Sequence, residues 1–227
     1  MSFKLFLSLG TVTLVLLTLF TGAKYMLPVW KRIVYALAGV VVGVIGTMIM
    51  FYIESRRFGG RSFFGAVFFS PLLLIPIGLL LKMKPADTLD LYAPAESAMS
   101  VLMKINCYIT RCCAGKVMYV TEYGKKIRFP SQICEAVAAF LILIFLLVLI
   151  IRKRERGNLY FWYMVVYGVM RFILNLFRET TPFVLNLPAG NFWALISIII
   201  GGGILIYKKR FSQTTSRLLF WKENKNA

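Results

Sequence analysis

Residues 136–151 read AVAAFLILIFLLVLII, and the next five are Arg152-Lys153-Arg154-Glu155-Arg156. A run from Ala136 to Ile151 without one polar side chain, closed abruptly by charge, reads as a bilayer segment. Spanning the hydrocarbon takes roughly 20 mostly apolar residues as a helix. Every backbone amide there needs an internal partner, so the segment must be helical. The chain repeats the pattern at Leu5 to Phe20, Ile33 to Ile53, Phe63 to Leu81, Leu159 to Phe177 and Phe192 to Tyr207. A membrane barrel would show short alternating segments instead, and the sequence has none. Of the 227 residues 59% are hydrophobic, against about 45–50% apolar in an average soluble domain.

One more stretch, Leu89 to about Thr110, is weakly hydrophobic and carries Asp90, Glu96 and Lys104. It reads as a membrane segment that is either buried and spanning or interfacial, because charge at membrane depth faces a bundle interior or a wet cavity. The expected fold class is therefore an all-α integral membrane protein of about seven transmembrane helices, with one polytopic domain over 1–210 and a loose polar tail over 211–227. Thr21-Gly22-Ala23-Lys24 is a poor cleavage site, so the first helix is expected to be retained. Gly39, Gly43 and Gly46 on the second helix allow close approach of a neighbour. Pro71 and Pro76 predict a kink in the third. The fifth is expected to face lipid, and Tyr160, Trp162 and Tyr163 are expected to form an interfacial belt on the sixth. Tyr123-Gly124-Lys125-Lys126 reads as a hairpin turn between short strands, Val117–Glu122 and Ile127–Phe129.

The net charge of +18 suits either nucleic acid or anionic lipid. The basic residues lie between apolar runs, where they are attracted to anionic headgroups, and no basic soluble domain remains to hold nucleic acid. The clusters 152–156 and 208–210 are two helices apart and so share a side. The positive-inside rule makes that side cytoplasmic, which puts the N-terminus, the 54–62 turn and the 111–133 loop outside and the C-terminus inside. The outer 104–128 region is itself basic against that rule, and binding an anionic headgroup supplies a reason. The chain contains no histidine, which excludes any mechanism that needs a His base or ligand. Among the four cysteines, adjacent Cys112-Cys113 fits the usual zinc spacing poorly. Cys107, Cys112, Cys113 and Cys134 are read as small packing residues or one disulfide, and neither a metal nor a cofactor is expected.

Three constellations can carry chemistry. Tyr167, Arg171, Asn175 and Arg178 span only about 80° of one helix face at 100° per residue. Arg178 can snorkel to the interface, whereas Arg171 lies about two turns deeper and needs a partner or a cavity. Lys104, Cys107 and Arg111 share a face of the fourth segment and, with Asp90 and Glu96, form the densest ionisable cluster. Ion pairs such as Glu96 with Lys104 or Arg171 can hold the bundle, serve a function, or both. Pro130-Ser131-Gln132-Ile133-Cys134-Glu135 opens the fifth helix, where Ser131 can cap and Gln132 and Glu135 can point into a central cavity.

The order of motifs resembles the prolipoprotein diacylglyceryl transferase family from about Val34 to Tyr207. The resemblance rests on Gly59-Gly60-Arg61-Ser62-Phe63-Phe64-Gly65, Leu89-Asp90-Leu91-Tyr92-Ala93-Pro94, the 103–116 stretch ending Cys112-Cys113-Ala114-Gly115-Lys116, Pro130-x-Gln132-x-x-Glu135, and Tyr167-Gly168-x-x-Arg171-Phe172. It implies a multi-pass protein of the bacterial plasma membrane. The implied activity is transfer of the diacylglyceryl group of phosphatidylglycerol to the lipobox cysteine of a preprolipoprotein at the outer face. Arg171, Lys104 and Tyr167 are the implied catalytic residues, with Lys104 standing where the family has an arginine. Arg111, Gln132, Glu135, Asn175, Arg178 and Glu96 complete the expected substrate-binding set. The chain departs from the family's pattern at Phe64, where His-Gly-Gly is usual, at Cys107 and Cys112, which replace Asn and Glu, and at Asn175, which replaces a glutamate. The alternative is a non-catalytic protein that binds anionic phospholipid on the same fold.

Overall fold

A backbone that must satisfy its own amides in lipid becomes helices joined by short polar turns. The computed structural model describes residues 3–113, 115–179, 182–184 and 186–225. Seven helices account for most of them: α1 (Phe3–Lys24), α2 (Val29–Ser55), α3 (Phe64–Leu80), α4 (Pro85–Ile109), α5 (Ser131–Ile151), α6 (Leu159–Asn175) and α7 (Ala189–Lys225). Four have the length and composition to cross a membrane, and α3 and α6 are shorter apolar helices. The protein is an all-α membrane protein.

The connections sort into two ends. At one lie the α2–α3 turn, the long α4–α5 loop and the α6–α7 connection. At the other lie the α1–α2, α3–α4 and α5–α6 turns. The α4–α5 loop carries the expected hairpin, β1 (Val117–Val120) antiparallel to β2 (Lys126–Arg128). A second, unforeseen hairpin pairs β3 (Pro182–Val184) with β4 (Leu187–Pro188).

The polar helix α4 is the axis of the bundle. Every residue from Asp87 to Ala98 is buried. Tyr35 donates to the Thr88 carbonyl at 2.5 Å, Tyr92 to Ser70 at 3.2 Å, and Ser97 to the Ala139 carbonyl at 2.9 Å. Asp90 does not join Lys104 in one cluster. The two are fourteen residues apart, roughly 21 Å along a helix, and Asp90 serves the opposite end. There it accepts from Tyr25 at 2.9 Å, from the Gly157 amide, and from the Tyr160 amide at 3.2 Å. Beside it Arg156 makes a two-pronged pair with Asp87, at 2.9 and 2.8 Å, and lies over the Tyr25 ring. The Asp87 hydrogen bond, first of all, raises the Arg156 pKa. Lys208 donates to the Gly157 carbonyl at 2.6 Å, so the basic clusters 152–156 and 208–210 meet at this end.

One expectation on α6 is corrected. Tyr160 and Tyr163 are 1% and 0% exposed and belong to the core, where the Tyr160 hydroxyl donates to the Val67 carbonyl at 2.6 Å; Trp162 instead reaches the exposed Glu155, at 3.2 Å. The α5 helix leaves most of its surface exposed, Val137, Phe140, Leu141, Ile144 and Phe145 included, as expected of a lipid-facing helix, and buries one stripe through Ala139, Ile142, Leu146 and Ile150 where α4 packs on it. Both prolines at which a kink is expected, Pro71 and Pro76, lie inside α3. The α7 helix runs past Tyr207 to Lys225; positions 226 and 227 of the tail lie outside the described residues.

The glycines of α2 meet two neighbours. Gly39 and Gly43 face Tyr92, and Gly46 crosses Gly65 of α3 backbone to backbone. A Cβ on Gly46 would sit 2.6 Å from the Gly65 carbonyl oxygen, an atom that cannot rotate away, so the helices would have to part. Overpacking of this kind costs about 1–3 kcal/mol. Gly46→Ala is expected to lower the thermal midpoint in detergent by several degrees, while Gly203→Ala, with nothing within 4 Å of the new methyl, leaves it unchanged.

Candidate functional site: a cation cluster at a membrane cavity

Between α1, α2, α3, α4 and α6 lies a cavity of about 360 Å³. Its inner part is mostly apolar, with Leu14, Val40, Val44, Phe64 and Met99 among its walls, and its polar part is set by Glu54, Arg61, Lys104, Arg171 and Arg178.

The polar part is organised by one carboxylate. Lys104 pairs with Glu135, Arg171 Nη1 lies 2.5 Å from Glu135 Oε2, and Arg178 Nη1 lies 3.3 Å from Glu135 Oε1. The Glu135 side chain is 3% exposed and the three cations 13% each. Three positive charges on one negative leave a surplus of two. Burying ions is expensive unless their donors are satisfied, yet Arg178 Nε is buried without an acceptor. Glu135, rather than Glu96, is thus the partner of Lys104 and Arg171. Glu96 is 1% exposed and lines the cavity, with the Tyr163 hydroxyl as its neighbour.

The backbone holds this arrangement from outside. The Gln132 amide donates to the Cys112 carbonyl at 2.7 Å and the Ser131 hydroxyl to the Cys113 carbonyl at 3.1 Å. Ser131 therefore clamps the preceding loop instead of capping α5, whose N-cap is Pro130. Gly115 bridges Arg178, the Lys116 amide donates to the Phe177 carbonyl at 2.8 Å, and Phe129 stacks on Phe177 at 4.9 Å. Arg128 adds a half-exposed pair to Glu179 at 2.6 Å.

The other expected residues divide. Tyr167 is 2% exposed and lines the cavity, stacked on Tyr163 at 5.5 Å and touching the Phe64 ring edge-on at 5.6 Å. Phe64, where the family has its histidine, thus packs into the same wall. Asn175 is buried and donates to Asn191, beside the cations but outside the Glu135 cluster. Arg111 stands apart: α4 ends at Ile109, and Arg111 follows in a left-handed turn, φ 53°, exposed. Of the Cys112-Cys113-Ala114 motif, Ala114 lies outside the described residues. Cys113, in the loop, has its thiol pKa lowered, first by hydrogen bonding with Cys107, with the Arg178 and Lys104 charges acting in the same sense against burial.

Sequence reasoning missed Glu54 and Arg61 as cavity residues. Ser62 donates to Glu54 at 2.9 Å, and that pair forms the wall opposite α6. The available signal was a carboxylate closing an apolar run just before Gly59-Gly60-Arg61-Ser62.

A multi-helix membrane protein with buried, under-neutralised arginines opening on an apolar cavity has the makings of an anionic-lipid site. The chain belongs to the prolipoprotein diacylglyceryl transferase family, whose model matches residues 2–207. It is similar to the phosphatidylglycerol–prolipoprotein diacylglyceryl transferase of Streptococcus agalactiae, 26% identical over 167 residues, covering 67% of this chain and 64% of the relative. It is also similar to that of Clostridium tetani, 27% over 192 residues, covering 73% and 76%, and to transferase 2 of Clostridium perfringens, 24% over 230 residues, covering 91% and 89%. The match to the streptococcal relatives thus spans just under two thirds of their length.

Removing the central carboxylate would leave the three cations facing one another. Breaking a buried pair costs about 3–5 kcal/mol, so Glu135→Gln is expected to lower the melting temperature sharply. Phosphatidylglycerol in the micelle should restore part of the loss and phosphatidylcholine none, read by a thermal-shift assay.

Proposed function

We propose that this protein transfers the diacylglyceryl group of phosphatidylglycerol to the thiol of a lipobox cysteine in a preprolipoprotein, at the outer face of a bacterial plasma membrane. The observation that carries the reading is the pair of uncompensated positive charges among Lys104, Arg171 and Arg178 at the polar part of an apolar cavity. A phosphatidylglycerol molecule has the matching parts, acyl chains for the apolar walls and one phosphodiester charge for the cations. The orientation rests on the positive-inside rule, with the 152–156 and 208–210 clusters inside and the cavity's polar part outside.

In the reaction the acceptor sulfur forms a bond to the glyceryl carbon. The carbon–oxygen bond to phosphate breaks, and glycerol phosphate leaves with the electron pair. The thiol proton goes to a base or to water. Negative charge builds on the departing phosphate, where preorganised guanidinium donors in a dry site are most effective. Arginine binds phosphate by two parallel hydrogen bonds, which suits Arg171 and Arg178. Lys104 contributes charge without the fork. Tyr167 shapes the wall beside the reacting carbon. Gln132 and Ser131 position the loop above it. Asn175, at the end of α6, ties that end to α7 through Asn191, and exposed Arg111 meets lipid headgroups at the entrance. Glu96, a carboxyl on the cavity wall, is a candidate proton acceptor.

The second reading, a lipid-binding protein without chemistry, draws on the replacements at Phe64, Cys107, Cys112 and Asn175. A mass-spectrometric assay separates the two, with the purified protein, phosphatidylglycerol and a lipobox peptide. A diacylglyceryl mass gain on the peptide cysteine is expected with wild type and a loss of at least 100-fold with Arg171→Ala, in line with removal of one transition-state donor. Glu96→Gln is expected to slow transfer less. If Arg171→Ala keeps transfer while Glu96→Gln abolishes it, the cation-driven mechanism is wrong. No transfer by wild type that still binds phosphatidylglycerol favours the binder.

A further inference from the structure

Three of the four cysteines converge at the polar part of the cavity. The sulfurs of Cys107, Cys112 and Cys113 all lie within 4.8 Å of one another, and all are free thiols. Three ligands tetrahedrally placed on zinc, each with a bond of about 2.3 Å, would be about 3.8 Å apart, so a small inward shift closes the triangle.

The backbone is shaped for this convergence. The α4 helix stops at Ile109, and Arg111 and Cys113, at φ 53° and 58°, take the left-handed conformation on either side of Cys112. Neither is glycine, so the turn is strained and must be held from outside. The Cys112 amide donates to the Cys107 carbonyl at 3.1 Å, while Gln132 and Ser131 hold the carbonyls of Cys112 and Cys113. The Thr110 hydroxyl donates to the Cys112 sulfur at 3.4 Å. Packing does not require this, since Cys112 and Cys113 are exposed and Cys107 only half-buried. A disulfide would use two of the sulfurs and strand the third.

We propose that Cys107, Cys112 and Cys113 bind one Zn²⁺, with the fourth coordination position open to the cavity for the thiol of the acceptor cysteine. Thiolates select soft or borderline ions such as Zn²⁺, and a metal with three protein ligands keeps a position for substrate. Three thiolates on a divalent ion carry one negative charge, which the surplus of two positive charges at Lys104, Arg171 and Arg178 accommodates. Cys107 and Cys113 line the cavity whereas Cys112 does not, which sets the direction of the open position. The role in transfer rests on the transferase reading above. On coordination the acceptor thiol releases its proton to water, and the metal-held sulfur attacks the glyceryl carbon as glycerol phosphate departs. Zinc takes no electrons in this step.

The test uses the full chain in detergent with a phosphine reductant, titrated with Co²⁺ as a visible stand-in for Zn²⁺. One equivalent is expected to give a thiolate-to-cobalt absorption band that Zn²⁺ abolishes. Cys107→Ser, Cys112→Ser and Cys113→Ser are each expected to lose it, and Cys134→Ser, on α5, to keep it. No band with wild type, or a band that survives Cys112→Ser and Cys113→Ser together, overturns the site. A lipobox peptide should then shift the band and its Cys→Ser analogue should not; an unmoved band overturns the acceptor position. Chelation should stop transfer and Zn²⁺ restore it. Transfer indifferent to chelation overturns the metal's role while the transferase reading stands. A shifted band without transfer under any condition overturns the transferase reading and leaves the metal site standing.

Discussion

One carboxylate holds three cations, and the outer half of the molecule follows from that imbalance. Glu135 draws Lys104 from α4, Arg171 from α6 and Arg178 from just beyond it into one buried group. Neither a lysine nor an arginine settles inside a membrane protein without a counter-charge or a route to water, so the carboxylate permits the cluster and the cavity relieves it. Other features of this end serve that arrangement. The Gln132 and Ser131 clamps fix the loop above the cations, the Gly115–Arg178 bridge fixes the end of α6, and the Ser62–Glu54 contact closes the facing wall.

The sequence made the helices legible because apolar runs have no other use at that length. It also made Arg171 and Lys104 conspicuous, since a charge inside such a run calls for an explanation. It did not disclose which acid they pair with. Glu96 and Glu135 are both compatible with helical spacing, and the choice depends on how α5 packs against α4. Asp90 misled for the same reason: nearness in sequence along a helix is distance in space. Ser131 fitted a capping pattern, but the Cys113 carbonyl offered its hydroxyl another partner. Tyr160 and Tyr163 looked interfacial from their place near a helix end, and only tertiary packing reveals that α6 turns them inward. The cysteine cluster was hidden because its spacing is closed by two left-handed residues, and nothing in Arg111 or Cys113 advertises that conformation.

The positions where this chain departs from its family are concentrated at the site. Phe64 lies against Tyr167, Asn175 binds Asn191, and Cys107 and Cys112 belong to the thiol cluster. Where the resemblance implies a histidine, an asparagine and two glutamates, this chain has an aromatic contact, sulfurs and an amide pair.

The burial of α4 bears on how the protein comes to be built. This helix has too little apolar surface to be counted among the spans by composition, yet all its residues from Asp87 to Ala98 are enclosed by neighbours. Lipid alone offers little to hold such a segment. Its main partners are α1, made before it, and α5, made after it. The packing that buries α4 is therefore complete only once α5 has been made. The strongly apolar α5 would then act as the anchor that carries its polar neighbour into the bilayer, making insertion of the central helix a cooperative event between successive hairpins.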